Sequence, residues 1–347
     1  MQPVTLIIDA MGGDHAPEAV LAGISEAVGE SNGLKFVLVG NRAQLGPLLS
    51  RLGIPPDKYS IEHTTERIEM DERPGEALKT KQQASISVAT RLTASGGGDA
   101  LISAGNTGAT ILACSQALKR LTGIERTALA AILPTQKTHP SSTGRTIMLD
   151  VGATLHCESR HLINFALMGT YYAREVMGIQ NPRVGLLNIG EEENKGHAAL
   201  VESYGILKST CGVNFIGNIE GKDVLQGKCD VVVSEGYVGN IVIKTLEGIG
   251  EITFEIGKRI WKKGLFPKIG LFLLSPVLKK IKKRLDYTEY GGAPILGFER
   301  LVIKCHGRSN AKAIKNAILL AETSVRNELI PKMNAALKEC LEGQTAP

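Results

Sequence analysis

Short apolar runs alternate along this chain with longer stretches whose apolar residues recur every three or four positions. Runs at 6–8, 35–39, 100–103, 128–133 and 146–149 predict strands, and helices are predicted at 17–29, 42–52, 78–93 and 107–121. The second half continues with helix 161–177, strand 183–188, helix 195–209, strand 231–234, a long helix from about 239, strand 301–304 and a last helix over most of 311–340. Alternation of this kind predicts βα units, hence an α/β fold with a largely parallel sheet and flanking helices. No fixed-period repeat interrupts it, so residues 1–347 read as a single catalytic unit. On the long helix, Ile241, Thr245, Ile249, Ile252, Ile256 and Ile260 share one face. That stripe predicts buried core, or equally a contact with a second subunit.

Composition narrows the function classes. The chain has 347 residues, 43% hydrophobic and 22% charged, an ordinary globular balance. Only 4% is aromatic, with a single Trp, which disfavours a base-stacking nucleic-acid partner. Six scattered cysteines without a Cys-x-x-Cys pair fit free thiols in a reducing cytosol. Asp9 cuts the apolar start, so no signal peptide is expected, and no apolar run is long enough to span a bilayer. The net charge of +5 is uneven. Ten Lys or Arg and no acidic residue lie between Lys258 and Arg284, which leaves the rest of the chain at −5.

Six glycine-bearing turns carry the candidate chemistry: 9–17, 103–109, 188–196, 235–240, 290–297 and 305–309. Glycine lets a backbone turn tightly beside a ligand, and a helix N-terminus offers N–H groups to anions. Ligands of open α/β sheets bind at strand carboxyl ends, so these turns predict one polar cleft suited to phosphate. No P-loop, Gly-x-Gly-x-x-Gly, Gly-x-Ser-x-Gly or His-Glu-x-x-His pattern is present, so nucleotide, serine-nucleophile and zinc chemistry are disfavoured and neither cofactor nor metal is expected. Donors without a protein nucleophile suit a substrate that brings its own. Phosphate is anionic near neutral pH and a thiolate leaves readily, so joining phosphate to a thioester needs only donors for the phosphate and for the developing oxyanion. Each candidate also has an ordinary reading. Lys195 at a helix start would be offset by Glu191, Glu192 and Glu193, Asn240 and Asn106 would be helix caps, and His15 a turn residue. His306 and Ser309 would cap the last helix, and Lys79 and Lys81 would form a solvated face.

At these turns the chain resembles the PlsX family, acyl-acyl carrier protein:phosphate acyltransferases. The resemblance is carried by Asp9-Ala-Met-Gly-Gly-Asp-His-Ala-Pro17, Gly105-Asn-Thr-Gly-Ala109, Asp150-Val-Gly-Ala153, Asn188-Ile-Gly-Glu-Glu, Gly236-Tyr-Val-Gly-Asn240, Tyr290-Gly-Gly-Ala-Pro-Ile-Leu-Gly297 and His306-Gly. It implies an α/β fold of the isocitrate/isopropylmalate dehydrogenase type, used without nucleotide, and a homodimer. The implied reaction moves a long fatty acyl group from acyl carrier protein to inorganic phosphate, giving acyl phosphate for phospholipid synthesis. Lys195 and Asn240 fall on the positions implicated in catalysis. Gly12, Gly13, His15, Lys81, Asn106, Thr107, Gly108, His306 and Ser309 are the substrate-binding candidates. The chain departs from the family pattern at Thr154, at Arg308 and in the stretch 81–85.

The basic segment, about 258–286, reads as a protruding amphipathic helix. Lys279, Lys280, Lys282, Lys283 and Arg284 surround an apolar face, and Leu265, Phe266, Phe272 and Leu273 precede them. Such a helix can rest reversibly on an anionic membrane. Packing on a dimer partner and docking of the acidic carrier protein are the other uses. The expected protein is cytoplasmic and peripherally membrane-associated, able to pass its product to a membrane glycerol-3-phosphate acyltransferase. The alternatives are a phosphotransacetylase-like enzyme using acyl-coenzyme A, a decarboxylating dehydrogenase and a non-catalytic membrane adaptor.

Overall fold

The computed structural model describes residues 3–137, 143–262, 264, 266, 268, 270, 273–275 and 291–344. Among them runs one eleven-stranded sheet. In spatial order its strands are β3 (Tyr59–His63), β2 (Leu34–Gly40), β1 (Val4–Asp9), β4 (Ala100–Ser103), β11 (Leu301–Lys304), β10 (Ala293–Leu296), β5 (Ala128–Pro134), β6 (Arg145–Leu149), β9 (Val231–Val233), β7 (Arg183–Leu187) and β8 (Asn214–Ile219). The inner strands are apolar on both faces, as strands covered by helices on both sides must be. Successive side chains point to opposite faces, so Leu6, Ile8, Ile102, Val231 and Val233 enter one core layer. Ile7, Leu101, Met148 and Val232 enter the other. The first layer is covered by α1 (Glu18–Glu30), α6 (Ser159–Glu175) and α10 (Ala311–Arg326), the second by α4 (Ser85–Ala94) and α5 (Thr107–Ala117).

The two halves of the sheet run in opposite senses. β3, β2, β1, β4 and β11 are mutually parallel. β10 is antiparallel to both β11 and β5, and β5 is antiparallel to β6. β6, β9, β7 and β8 are again parallel to one another. Three reversals separate β11 from β6, so the two parallel halves run antiparallel to each other.

Several expectations need correction. The helix predicted over 78–93 is two, α3 (Pro74–Thr80) and α4, because residues 64–66 grip the chain between them. Thr64 donates to the Gln83 carbonyl, Gln83 N–H donates to Glu66 Oε2 at 3.1 Å, and Ser85 N–H to the Glu66 carbonyl at 2.9 Å. The last helix is also two, α10 and α11 (Leu329–Gln344), divided where Glu328 takes a left-handed φ of 56°. The stretch 290–297, expected to be a turn, contains β10. The other missed strands, β3 and β8, are the sheet's edges; half-exposed edge strands carry polar residues and Gly217, which obscures their pattern.

The isoleucine stripe is not core. The long helix, α9 (Gly236–Trp261), packs inward through Val242 and Ile243. Ile241, Ile249, Ile252, Ile256 and Ile260 are 39–61% exposed, and Thr245 is exposed too. Phe266 and Leu273 are exposed at 87% and 72%. Leu265, Phe272, Lys279, Lys280, Lys282, Lys283 and Arg284 lie outside the described residues. Among the described residues no helix is long and apolar enough to cross a membrane.

At the start of β7, Arg183 grips the buried Asp230 carboxylate through Nε at 3.0 Å and Nη2 at 3.2 Å. Arg183→Ala leaves that carboxylate buried without its charged partner, and urea unfolding should show a loss of about 2 kcal/mol.

Candidate active site and a second turn cluster

The turns fall in two groups, one beyond β1, β4 and β11 and one beyond β6, β7 and β9, with α9 running between them. The first lies beyond β1, β4 and β11. Ser103 Oγ donates to Asp9 Oδ2 at 2.7 Å and accepts from Gly105 N–H at 3.1 Å. Gly12 sits against this pair, where a Cβ would collide with Asp9 Oδ2 and come within 2.7 Å of Gly105 N. Gly13 turns with a φ of 107°, and Asp14 N–H donates to the Gly307 carbonyl at 2.9 Å. The turns at 9–15, 103–108 and 305–309 therefore form one packed unit.

Within this cluster the substrate-binding candidates divide. Asn106 is a cap, as its ordinary reading held. Its Oδ1 accepts from Ala109 N–H at 3.1 Å, and its Nδ2 donates to the Met70 and Glu72 carbonyls at 3.0 and 3.1 Å. Lys81 is engaged by Glu72 and the Arg67 carbonyl. Gly108 packs on Pro74, while His15 and Thr107 are exposed. Ser309 is buried, and its hydroxyl has no hydrogen-bond partner among the described residues. The last helix is capped by Asn310, not by His306 or Ser309. His306 is half-buried, and burial lowers its pKa, which favours the neutral imidazole.

Sequence reading passed over Lys304, the last residue of β11, which lies in register with Ser103 as Asp9 does. Its ammonium is buried and donates to the Cys305 carbonyl. Burial lowers its pKa to about 8, partly opposed by Cys305, Asp9 and Asp14. The same burial raises the Asp9 pKa. The only sequence signal was a lysine ending an apolar strand beside a glycine turn.

The second cluster lies beyond β6, β7 and β9. The buried Asp150 carboxylate accepts from the backbone N–H groups of Leu129, Gly152, Ala153 and Thr154, at 2.8, 3.0, 3.0 and 2.5 Å. On this knot sits the N-terminus of α9. A Cβ at Gly236 would approach Thr154 O to 2.5 Å and Asp150 Oδ2 to 2.6 Å, and one at Gly239 would overlap the Asp150 carbonyl. Glycine at both positions is what lets the helix approach. The helix starts at Gly236, so Asn240 is no cap. It stands exposed one turn inside, with its side chain beside Gly152.

Lys195 lies in the loop before α7 (Ala198–Leu207), not at the helix start. Asn188 Nδ2 holds the Lys195 carbonyl at 2.9 Å, and the Lys195 side chain is exposed. Two of the three neighbouring acids are engaged elsewhere, while Glu192 Oε2 and the Lys195 side chain both lie against Gly190. Glu191 pairs with Lys228 at 2.6 Å and Glu193 with Lys208. His197 Nε2 lies 3.0 Å from Glu235 Oε2, tying this loop to the residue that precedes α9. Lys195 and Asn240 thus flank one helix N-terminus, whose dipole favours an anion.

No thiolate is ready there. Burial raises the nearby Cys157 thiol to about 12, with Cys114, Cys229 and Cys305 pushed equally high. A groove of about 910 Å³ opens beside this cluster between α6, α7 and α11, lined by Cys157, Ile163, Leu167, Ala198 and Leu337 but by neither Lys195 nor Asn240. α9 connects the clusters. Its Glu251 carboxylate lies 4.0 Å from Arg308, and Glu247 and Lys244 act electrostatically on His306. From Asn240 to Lys244, which acts on His306, the helix rises only about 6 Å.

Comparison with known proteins fits this architecture. The fold is shared with a phosphotransacetylase from Streptococcus pyogenes, at a TM-score of 0.60 and 16% identity over 93% of this chain and 94% of that one. The EutD phosphotransacetylase of Staphylococcus aureus gives 0.58 and 15%, over 92% and 94%. Identity of this size speaks for the fold alone. The family model described as "Fatty acid synthesis protein" matches residues 4–332. The phosphate acyltransferase of Pelotomaculum thermopropionicum is 44% identical over 96% of this chain and 95% of its own length. That of Moorella thermoacetica is 45% identical over 94% and 93%. The chain is an acyltransferase, and it belongs to the phosphate acyltransferase family, the PlsX family.

Because α9 sits directly on Asp150, Gly239→Ala forces the helix N-terminus outward. Overpacking of this kind costs about 1–3 kcal/mol. A calorimetric melt should show the lower Tm, and transfer activity should fall with it because Asn240 moves.

Proposed function

We propose that the protein transfers a long-chain fatty acyl group from acyl carrier protein to inorganic phosphate, and that the acyl phosphate formed serves phospholipid synthesis. The observation that carries this reading is the pair of exposed donors, Lys195 and Asn240, on a helix N-terminus whose neighbouring thiol is held protonated. Phosphate is taken beside Lys195. One of its oxygens attacks the thioester carbonyl and forms the new C–O bond as the C=O electrons move onto oxygen. Lys195 and Asn240 stabilise that oxyanion. It then collapses, breaks the C–S bond and releases the carrier thiolate, which takes up a proton from solvent. The protein holds charge and supplies no covalent nucleophile.

The exposed isoleucine face of α9 supports a homodimer in which a second copy covers it. The exposed Phe266 and Leu273 support peripheral contact with an anionic membrane, which would keep the enzyme cytoplasmic but near a glycerol-3-phosphate acyltransferase. The name isocitrate/isopropylmalate dehydrogenase type is proposed for the fold on the motif resemblance. Use of acyl-coenzyme A is the second reading, favoured by the fold shared with phosphotransacetylases.

Removing one oxyanion donor typically costs about 10²–10³ in kcat. Lys195→Ala and Asn240→Ala should each lose about that much while melting like wild type, since both side chains are exposed. The assay loads palmitate on acyl carrier protein, adds phosphate and traps acyl phosphate as hydroxamate. Faster turnover with palmitoyl-coenzyme A would favour the second reading. Full activity in Lys195→Ala would remove the mechanism.

A further inference from the structure

Four of the six cysteines are buried, and the other two, Cys211 and Cys340, are brought together by the fold. Cys211 is exposed in the turn between α7 and β8, and Cys340 is half-buried on α11. They stand 129 residues apart in sequence, yet the Cys340 thiol donates to the Cys211 carbonyl at 3.5 Å. Their side chains are also hydrogen-bonded to each other. We infer that Cys211 and Cys340 form a redox-active dithiol, a modification site that a low-molecular-weight disulfide oxidises to an intramolecular disulfide, stapling α11 to the turn before β8.

A disulfide forms without backbone movement only where two cysteine side chains face each other at close range. Here α6 holds both partners. Its Arg174 donates from Nη2 to the Gly212 carbonyl at 3.0 Å, and the guanidinium lies 5.4 Å from the centroid of the Tyr171 ring. Gly212 turns with a φ of 75°, and a Cβ there would stand 3.8 Å from the Tyr171 hydroxyl. The turn that carries Cys211 is thereby fixed against α6. On the other side, Met333 and Leu337 of α11 are buried in the same core layer as Leu167 and Ala173 of α6. Tyr171 is close enough for both thiols to act on it. The sulfurs therefore meet through packed elements on both sides.

The two thiols differ as a stepwise exchange requires. Cys211 is open to solvent and is reached first. Burial, then Cys211 and Glu339, raise the Cys340 pKa, so this thiol stays protonated and reacts second. The Cys211 thiolate attacks one sulfur of the small disulfide, whose S–S bond breaks and releases one thiolate. Cys340 then gives up its proton and attacks the Cys211 sulfur of the mixed disulfide, releasing the second thiolate. The two cysteine protons pass through solvent to the two departing thiolates. The protein loses two electrons, and the small disulfide gains them. Cys114, Cys157, Cys229 and Cys305, whose thiols burial raises to about 12, take no part. The new bond closes a long loop, and restricting the unfolded chain in this way stabilises the fold.

The test incubates the full chain with oxidised glutathione, blocks the remaining thiols with iodoacetamide and maps tryptic peptides by mass spectrometry. Wild type should yield the Cys211 peptide joined to the Cys340 peptide with no glutathione retained, and dithiothreitol should separate them. Cys340→Ser should stop at the mixed disulfide and keep one glutathione on Cys211. In Cys211→Ser, Cys340 should take up glutathione at least tenfold more slowly than Cys211 does in Cys340→Ser. A calorimetric melt of oxidised wild type should lie at least about 2 °C above that of the reduced protein, and Cys211→Ser should show no such rise. Wild type that keeps glutathione on Cys211 as Cys340→Ser does, that joins Cys211 to a second copy, or that pairs either cysteine with one of the buried four would overturn the inference. A disulfide that leaves the melt unchanged would overturn the staple. Should either variant fail to fold, the peptide map of wild type decides alone. None of these readouts depends on acyl transfer, so this site and the proposed function stand or fall separately.

Discussion

The Asp150 carboxylate accepts four backbone N–H groups and thereby ties the end of β6 into a knot on which α9 is seated. Buried N–H groups left without partners are costly, so this turn has little freedom to rearrange. Gly236 and Gly239 let the helix backbone touch the knot, and that contact sets where Asn240 stands. The bridge from His197 to Glu235 then places the Lys195 loop against the same helix end. Donors at a helix end serve an anion best when held still, and here a buried carboxylate provides that rigidity.

Strand direction has the next largest consequence. Had the sheet been wholly parallel, all the turns would have opened on one side. β10 and β5 reverse the sense, so the two parallel halves run antiparallel to each other. α9 is long enough to span the interval, and its outer face is apolar where a monomer would place polar residues. One helix thus positions Asn240, reaches Arg308 and displays a hydrophobic surface.

Much of this was legible in the chain. Inner strands such as 100–103 and 231–234 are buried on both faces, so their apolar runs stand out against the helical periodicity beside them. Asp9, Gly12, Lys195, Asn240 and His306 drew notice because glycine beside polar residues after a strand is uncommon outside a functional turn. The missed strands β3 and β8 lie at the edges, where half-exposure dilutes the hydrophobic signal. The break at 81–84 was hidden because its cause is Thr64 and Glu66, remote in sequence.

What the sequence determined by itself was the class of fold, the family and the residue types at each turn, because periodicity and turn chemistry are local. The tertiary structure alone decided which turns meet, that the isoleucine face of α9 points outward and that Lys304 is buried beneath a glycine cluster. Those facts depend on strand direction and on contacts between segments hundreds of residues apart. A periodicity reveals that a helix has an apolar face, but the burial of that face is a property of whatever packs against it.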